Sequence, residues 1–253
     1  MLLQTQNLTM KFGGIMALKD VTLAFESGKI SAVIGPNGAG KTTFFNACCG
    51  VYTPTAGQVT FDATLLNGKL PHQIAHMGIA RTWQNLQIFP QLTLIENVMV
   101  GGEMRDHASG FVASMLRLPG VASKENAAKA KAKYWLDLVG LGDRAETLAG
   151  NLAFGQQRVL EIARAMATSP RLLMLDEPAA GLSSTERDAL MTVIRRIRDE
   201  GITVLLVEHD MRLVMQLADY VAVLNYGELI AKGPPSEVQA NPDVIKAYLG
   251  EDE

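Results

Sequence analysis

Cysteine is nearly missing from this sequence: two of 253 residues, adjacent at Cys48 and Cys49. That excludes a disulfide framework and a zinc site built from four cysteines. Aromatic residues are sparse at 6%. No apolar run approaches the roughly 20 residues a membrane-spanning helix needs. The start, Met1 to Gly14, lacks a basic stretch followed by an apolar one, so no secretion signal is expected. An excess of positive charge is absent as well: 23 basic against 26 acidic residues leaves −3, which gives no support to a nucleic-acid-binding surface. What is present is a globular composition, 48% apolar and 19% charged, long enough for a large core. These features together point to a cytosolic protein.

Strand-like and helix-like stretches alternate. Lys29–Ile34, Leu172–Leu175, Ile202–Val207 and Val221–Leu224 read as strands, and the turn Asn225-Tyr226-Gly227 leads the last into Glu228–Ala231. The almost unbroken apolar character of Ile202–Val207 suits a parallel strand covered on both faces. Thr42–Cys49 reads as a helix, with the two cysteines as small buried residues on it. Ser183-Ser-Thr-Glu186 is a capping box, followed by the stripe Leu190, Val193, Ile194 and Ile197. Val159, Ile162, Ala163 and Met166 form a similar stripe. Between Thr93 and Gly150 no strand is expected. Lys124–Val139 reads as a helix with Ala127, Ala130, Tyr134 and Leu138 inward, and Gly101–Gly120 as loop.

Chemistry concentrates in two places. Gly35, Pro36, Asn37, Gly38, Ala39, Gly40, Lys41 and Thr42 fit G-x-x-x-x-G-K-[ST] without a mismatch, and Thr43 follows in the helix. The glycines let backbone N–H groups wrap a phosphate chain, and the helix N-terminus adds partial positive charge. Lys41 can reach the β- and γ-phosphates, and the Thr42 hydroxyl can bind Mg²⁺. Leu172-Leu-Met-Leu-Asp176-Glu177 then places two acids at the C-terminal end of a buried strand, the edge where parallel sheets carry their sites. Asp176 suits Mg²⁺ through water. Glu177 suits a general base for an attacking water.

Leu152, Ala153, Phe154, Gly155 and Gln156, at the head of the helix leading into the acidic strand, resemble the L-S-G-G-Q signature of ATP-binding cassette (ABC) ATPases. The resemblance extends over nearly the whole chain. It implies an α/β fold: a phosphate-loop NTPase core of the ABC type, with an antiparallel β portion and an inserted helical subdomain. The core would be residues 1–85 and 160–253, and the subdomain 86–159. It also implies roles. Phe12 is similar to the aromatic that stacks on adenine, and Gln84 to the glutamine that senses Mg²⁺ and the γ-phosphate. His209 is similar to the switch histidine, and residues 179–183 occupy the D-loop position. ATP and Mg²⁺ are the implied cofactors.

Two positions depart from the family pattern: Ala153 stands for the signature serine, and Ser183 for the D-loop aspartate. Neither removes a metal-binding group or the candidate base. The signature helix head, the Glu177-Pro-Ala-Ala-Gly-Leu run and the tail from Asn241 to Glu251 resemble the branched-chain amino acid importer ATPases. The implied partners are transmembrane permease subunits, a second ATPase subunit and, indirectly, a solute-binding protein. The implied location is the cytoplasmic face of the inner membrane, and no nucleic-acid partner is implied. In this family the segment Asn85–Val100 would help dock the permease, with Phe89 exposed and Leu94 and Ile95 in the core. An ATPase of lipid or lipopolysaccharide export and a non-transport ABC switch are the alternative readings. Residues alone leave the solute, the direction of transport and the choice of homodimer or heterodimer open.

Overall fold

Residues 1–103 and 121–249 are described by the structure, a computed structural model. Near the N-terminus, buried and exposed positions alternate along Leu3–Phe12 (β1) and Ile15–Phe25 (β2), as a sheet with one covered face requires. β1 pairs antiparallel with β2 and with Ala56–Phe61 (β4), and Thr64–Leu65 (β5) closes a four-stranded sheet of order β2-β1-β4-β5. This is the expected antiparallel β portion.

The second sheet has six strands. Ile30–Ile34 (β3), Leu172–Asp176 (β7) and Thr203–Val207 (β8) are buried at every position. With Ile79–Arg81 (β6), Tyr220–Asn225 (β9) and Glu228–Gly233 (β10), they run in the order β10-β9-β3-β8-β7-β6. All neighbouring pairs are parallel except β10 on β9. Tyr226 and Gly227 join that last pair, both at positive φ, as a tight right-twisted hairpin demands.

The main sheet separates two cores. On one face, Val33, Met174 and Leu205 pack with Phe25 and Phe61 of the smaller sheet. Helix Lys41–Cys48 (α1) adds Phe44 and Phe45 to that core. On the other face, Leu173, Leu175 and Leu206 meet the helical layer. The stripes read from the sequence lie there: Ile162, Ala163 and Met166 are buried and Val159 is half-buried. Leu190, Val193, Ile194 and Ile197 are buried on their helix.

The short helix Pro71–His76 (α2) precedes β6. Helices Leu94–Glu103 (α3), Val121–Leu138 (α4) and Phe154–Met166 (α5) then pack on one another. Among the described residues between 93 and 150 there is no strand, only an isolated bridge of Thr93 to Leu148. Two expectations fail here. First, α4 buries Ala132, Trp135 and Leu136, with Val139 buried just past its end, while Ala127, Ala130 and Tyr134 are exposed and Leu138 is half-buried. The face carrying Trp135 and Leu136 removes far more apolar area from water than the alanine face, so area decides the rotation. Second, Gly101, taken for loop, lies in the last turns of α3. A Cβ there would sit 2.2 Å from the Arg164 carbonyl oxygen, so this glycine allows α3 to cross α5 closely. The remainder of that expected loop, 104–120, lies outside the described residues. Ser184–Asp199 (α6) and Met211–Leu217 (α7) complete the layer, and Pro235–Gln239 (α8) and Pro242–Leu249 (α9) follow β10.

Candidate active site

The loop from Gly35 to Gly40 links β3 to α1 and is walled by backbone. A Cβ on Gly35 would meet the Leu224 carbonyl oxygen of β9 at 2.1 Å, and one on Gly40 the Ala17 carbonyl oxygen of β2 at 2.5 Å. Gly38 and Gly40 sit at φ 80° and 101°, where a side chain is strained. Both sheets therefore press the loop into shape. Lys41 opens α1 and is buried, its Nζ donating to the carbonyls of Gly35 (2.7 Å) and Pro36 (2.9 Å). Burial lowers its pKa, and the nearby carboxylates of Glu177 and Asp176 oppose that shift. Thr42 is exposed beside it and Thr43 half-buried. A cavity of about 570 Å³ is lined by residues 37–43 and by Ile15, Met16, Ala17, Lys19, Glu177 and Tyr226. Such glycine-lined walls and an anion-seeking helix end fit a nucleotide's phosphates.

Phe12 does not line this cavity. It stands at the end of β1, 42% exposed, edge-on to Tyr52 with centroids 5.1 Å apart. Exposed Ile15 and Tyr226 line the rim instead. Nothing local in the sequence marks them as exposed, because their place depends on how the two hairpins approach the loop.

Two sequence-predicted groups, Gln84 and His209, converge on the carboxylate of a third, Glu177. Glu177 follows β7 at φ 46°, a conformation costly for a residue with a Cβ, and its N–H donates to the Val207 carbonyl of β8. Gln84 Nε2 donates to Glu177 Oε2 at 3.0 Å, and His209 Nδ1 lies 3.9 Å from the same oxygen. Asp176 is placed differently: its Oδ2 is held by Arg81 at 2.7 Å, with both side chains buried.

Residues 152–156 line no part of the phosphate-loop cavity of their own chain. Leu152 and Gly155 are buried, and Ala153 is the N-cap of α5, with no side-chain hydrogen bond to the helix. Phe154 is 46% exposed, and Gln156 accepts from Arg144 at 2.9 Å. A serine at a position of this geometry (φ −62°, ψ 153°) accepts from the first-turn N–H groups. Ala153→Ser is therefore expected to raise the unfolding free energy by about 1 kcal/mol, read from urea denaturation of the isolated subunit.

Several contributors carry no sequence signal of their own. Arg158 of α5 donates to the backbone carbonyls of Trp83 (3.0 Å) and Gln84 (2.6 Å), tying the helix to the glutamine loop. Buried Glu208 accepts from the N–H groups of Ala179 (2.9 Å) and His209 (3.2 Å), joining two loops, and burial raises its pKa. Ser183 forms the expected capping box with Glu186. Cys48 and Cys49 are buried, and burial pushes the Cys49 thiol up to about 11, which suits a packing role. Among the described residues no three His, Cys, Asp or Glu side chains gather as a metal cluster.

Comparison with known proteins gives this arrangement its context. Residues 18–180 match the family described as ABC transporter, and residues 228–253 the one described as branched-chain amino acid ATP-binding cassette transporter. The chain is 47% identical over 251 residues to the high-affinity branched-chain amino acid transport ATP-binding protein BraF of Pseudomonas aeruginosa, covering 99% of this chain and 98% of that one. It is 44% identical over the same length and coverage to LivG of Escherichia coli. Among solved structures, the ADP conformation of the cassette MJ1267 superposes with a TM-score of 0.85 at 30% identity, over 99% of both chains. A dimeric cassette bound to ADP and Pi superposes at 0.75, with 25% identity, over 92% of this chain and 98% of that one. With a phosphate loop, an acidic strand end and a signature helix in one continuous match, the chain belongs to the ABC transporter family of ATP-binding subunits and is an ATPase of that family.

Proposed function

We propose that this chain hydrolyses ATP for an importer of branched-chain or other hydrophobic amino acids, on the cytoplasmic face of the inner membrane. Permease subunits, a second ATPase subunit and an external solute-binding protein would complete the system. The observation that carries the catalytic part is the meeting of Gln84 and His209 on the Glu177 carboxylate at the rim of the phosphate-loop cavity. The transported class rests on the names of the relatives and on the matching C-terminal tail.

In this reading the N–H groups of residues 38–43 and the Lys41 ammonium bind the phosphates. Lys41 exchanges its two carbonyl acceptors for phosphate oxygens. The Thr42 hydroxyl and the Asp176 carboxylate would hold Mg²⁺, a cation that takes few protein ligands beside its waters and phosphates. A metal held there would supply charge neutralisation for the phosphate chain. Glu177 Oε2 accepts the proton of the attacking water, and Gln84 and His209 orient that oxygen. Residues 152–156 of a partner subunit would close over the γ-phosphate through backbone N–H groups and the α5 N-terminus, Ala153 supplying no hydroxyl. Phe12 would stack on adenine from outside the cavity. Residues 86–159 would move as a helical subdomain against the 1–85 and 160–253 core, Arg158 coupling that motion to Gln84.

The docking test uses Phe89. Its ring is 45% exposed under the Arg164 guanidinium (5.5 Å), on a loop whose backbone is braced by buried Asn97. Leu94 and Ile95 are core residues. Phe89→Ala is expected to leave ATP binding and the melting curve intact and to weaken assembly with the permeases by at least about fivefold. Quantitative co-purification measures it; unchanged assembly would remove Phe89 from the interface.

A further inference from the structure

Arg81 is a buried guanidinium that the catalytic reading leaves without a role. It ends β6, beside β7 in the sheet. One prong holds Asp176 Oδ2 at 2.7 Å and the other Asn46 Oδ1 of α1, also at 2.7 Å. Its plane lies against Trp83, 4.3 Å from the ring centroid, and Phe45, 5.7 Å away. Its Nε finds no acceptor. Both Arg81 and Asp176 have side chains only 6% exposed. A guanidinium stays charged, and two short bonds from its rigid fork, one to the carboxylate and one to Asn46, fix its own orientation and so the direction from which it holds Asp176 Oδ2.

The strand end is thus tied twice to the glutamine loop. Asp176 is joined to Arg81, and the next residue, Glu177, to Gln84, three positions after Arg81. The inner tie is a buried ion pair and the outer one a neutral–charged hydrogen bond near solvent. With Oδ2 engaged, Asp176 has Oδ1 left to offer. Adjacent acids on a strand end would otherwise repel and disperse. Here one is neutralised and fixed while the other is free to work.

We propose that Arg81 is a positioning residue for nucleotide-bound Mg²⁺: it fixes Asp176 so that one carboxylate oxygen faces the metal, and it transmits the state of that carboxylate to the glutamine loop through the stacked Trp83. The proposal rests on the assignment of Asp176 to Mg²⁺ made above. Asn46 serves the same end from α1, by holding the second prong.

The test measures Mg²⁺ dependence of binding, not turnover. A fluorescent ATP analogue is titrated onto the full chain in EDTA and then across Mg²⁺ concentrations, for wild type, Arg81→Lys, Asp176→Asn and the double variant. Lysine keeps the charge and loses the fork. Arg81→Lys is expected to raise the Mg²⁺ needed for half-saturation by about tenfold, the lower range for losing a partner that orients a metal-binding group, and to leave affinity in EDTA unchanged. In the Asp176→Asn background, Arg81→Lys should add nothing further. Should Arg81→Lys fail to fold, Asn46→Ala, which loosens only the second prong, must shift the Mg²⁺ dependence in the same direction. A second readout is the emission of Trp83 in a Trp135→Phe chain: adding Mg²⁺ to the ATP-bound protein should change it, and Arg81→Lys should abolish the change. Wild-type Mg²⁺ dependence in Arg81→Lys, or equal loss with and without Mg²⁺, overturns the proposal. If Asp176→Asn itself leaves Mg²⁺ dependence untouched, the metal assignment falls, and Arg81's role with it.

Discussion

Glu177→Gln slows steady-state ATP turnover by at least about a hundredfold, the lower range for losing a positioned general base. Glutamine preserves the shape and can still meet Gln84 and His209, but its amide cannot take a proton from water. The phosphate loop is untouched, so nucleotide affinity stays at the wild-type value. Hydrolysis no longer empties the closed state, and an ATP-bound dimer should accumulate. Phosphate release gives the rate, a nucleotide titration the affinity, and size-exclusion with light scattering the dimer. Wild-type turnover would remove Glu177 from its role. The left-handed backbone at Glu177, bonded to Val207 rather than relaxed into a turn, is what holds the carboxylate in place. Glutamine tolerates that φ no better or worse than glutamate, so the substitution tests chemistry and not folding.

Lys41→Ala acts one step earlier. It removes the side-chain cation whose Nζ is held by the Gly35 and Pro36 carbonyls of the phosphate loop. Losing a charge-assisted contact to phosphate costs about 1.5–3 kcal/mol, so ATP should bind about 10- to 100-fold more weakly. The loss should be of affinity and not only of rate, which separates it from Glu177→Gln. ATP should also lose most of its ability to raise the melting temperature, because stabilisation by a ligand follows its affinity for the folded state. Equal nucleotide affinity in mutant and wild type would displace the site from this loop.

What the sequence makes legible depends on where each signal is stored. The phosphate loop, the acidic pair and the capping box at Ser183 are contiguous in the chain, so their spacing states their geometry. β3, β7, β8 and β9 are legible because a parallel strand covered on both faces must be apolar throughout, whereas β1, β2, β4, β5 and β6 offer no such run. Gln84 and His209 carry a meaning only through family resemblance, and their meeting at Glu177 is a fact of the fold. Arg81 and Asp176 are 95 positions apart, and no local pattern pairs them. Glu208 reads as one more acid at a strand end until the Ala179 N–H is seen to need it. The face of α4 is not legible from spacing alone, because small alanines at helical spacing imitate a buried stripe while Trp135 and Leu136 carry the area that burial rewards. The place of Phe12 is a matter of the fold as well: its ring stands edge-on to Tyr52 outside the cavity, from where the proposed stacking on adenine would be made.

Arg158 grips the glutamine loop by two carbonyl oxygens, atoms that every residue type supplies. Its hold is therefore indifferent to which side chains the loop carries. If Phe89 docks the permease as proposed, it and its neighbours could be exchanged to suit a different partner while the helix keeps the same hold on Gln84. In that reading recognition and force transmission would be written in separate atoms of one short segment, and a change of partner would leave the linkage to Gln84 in place.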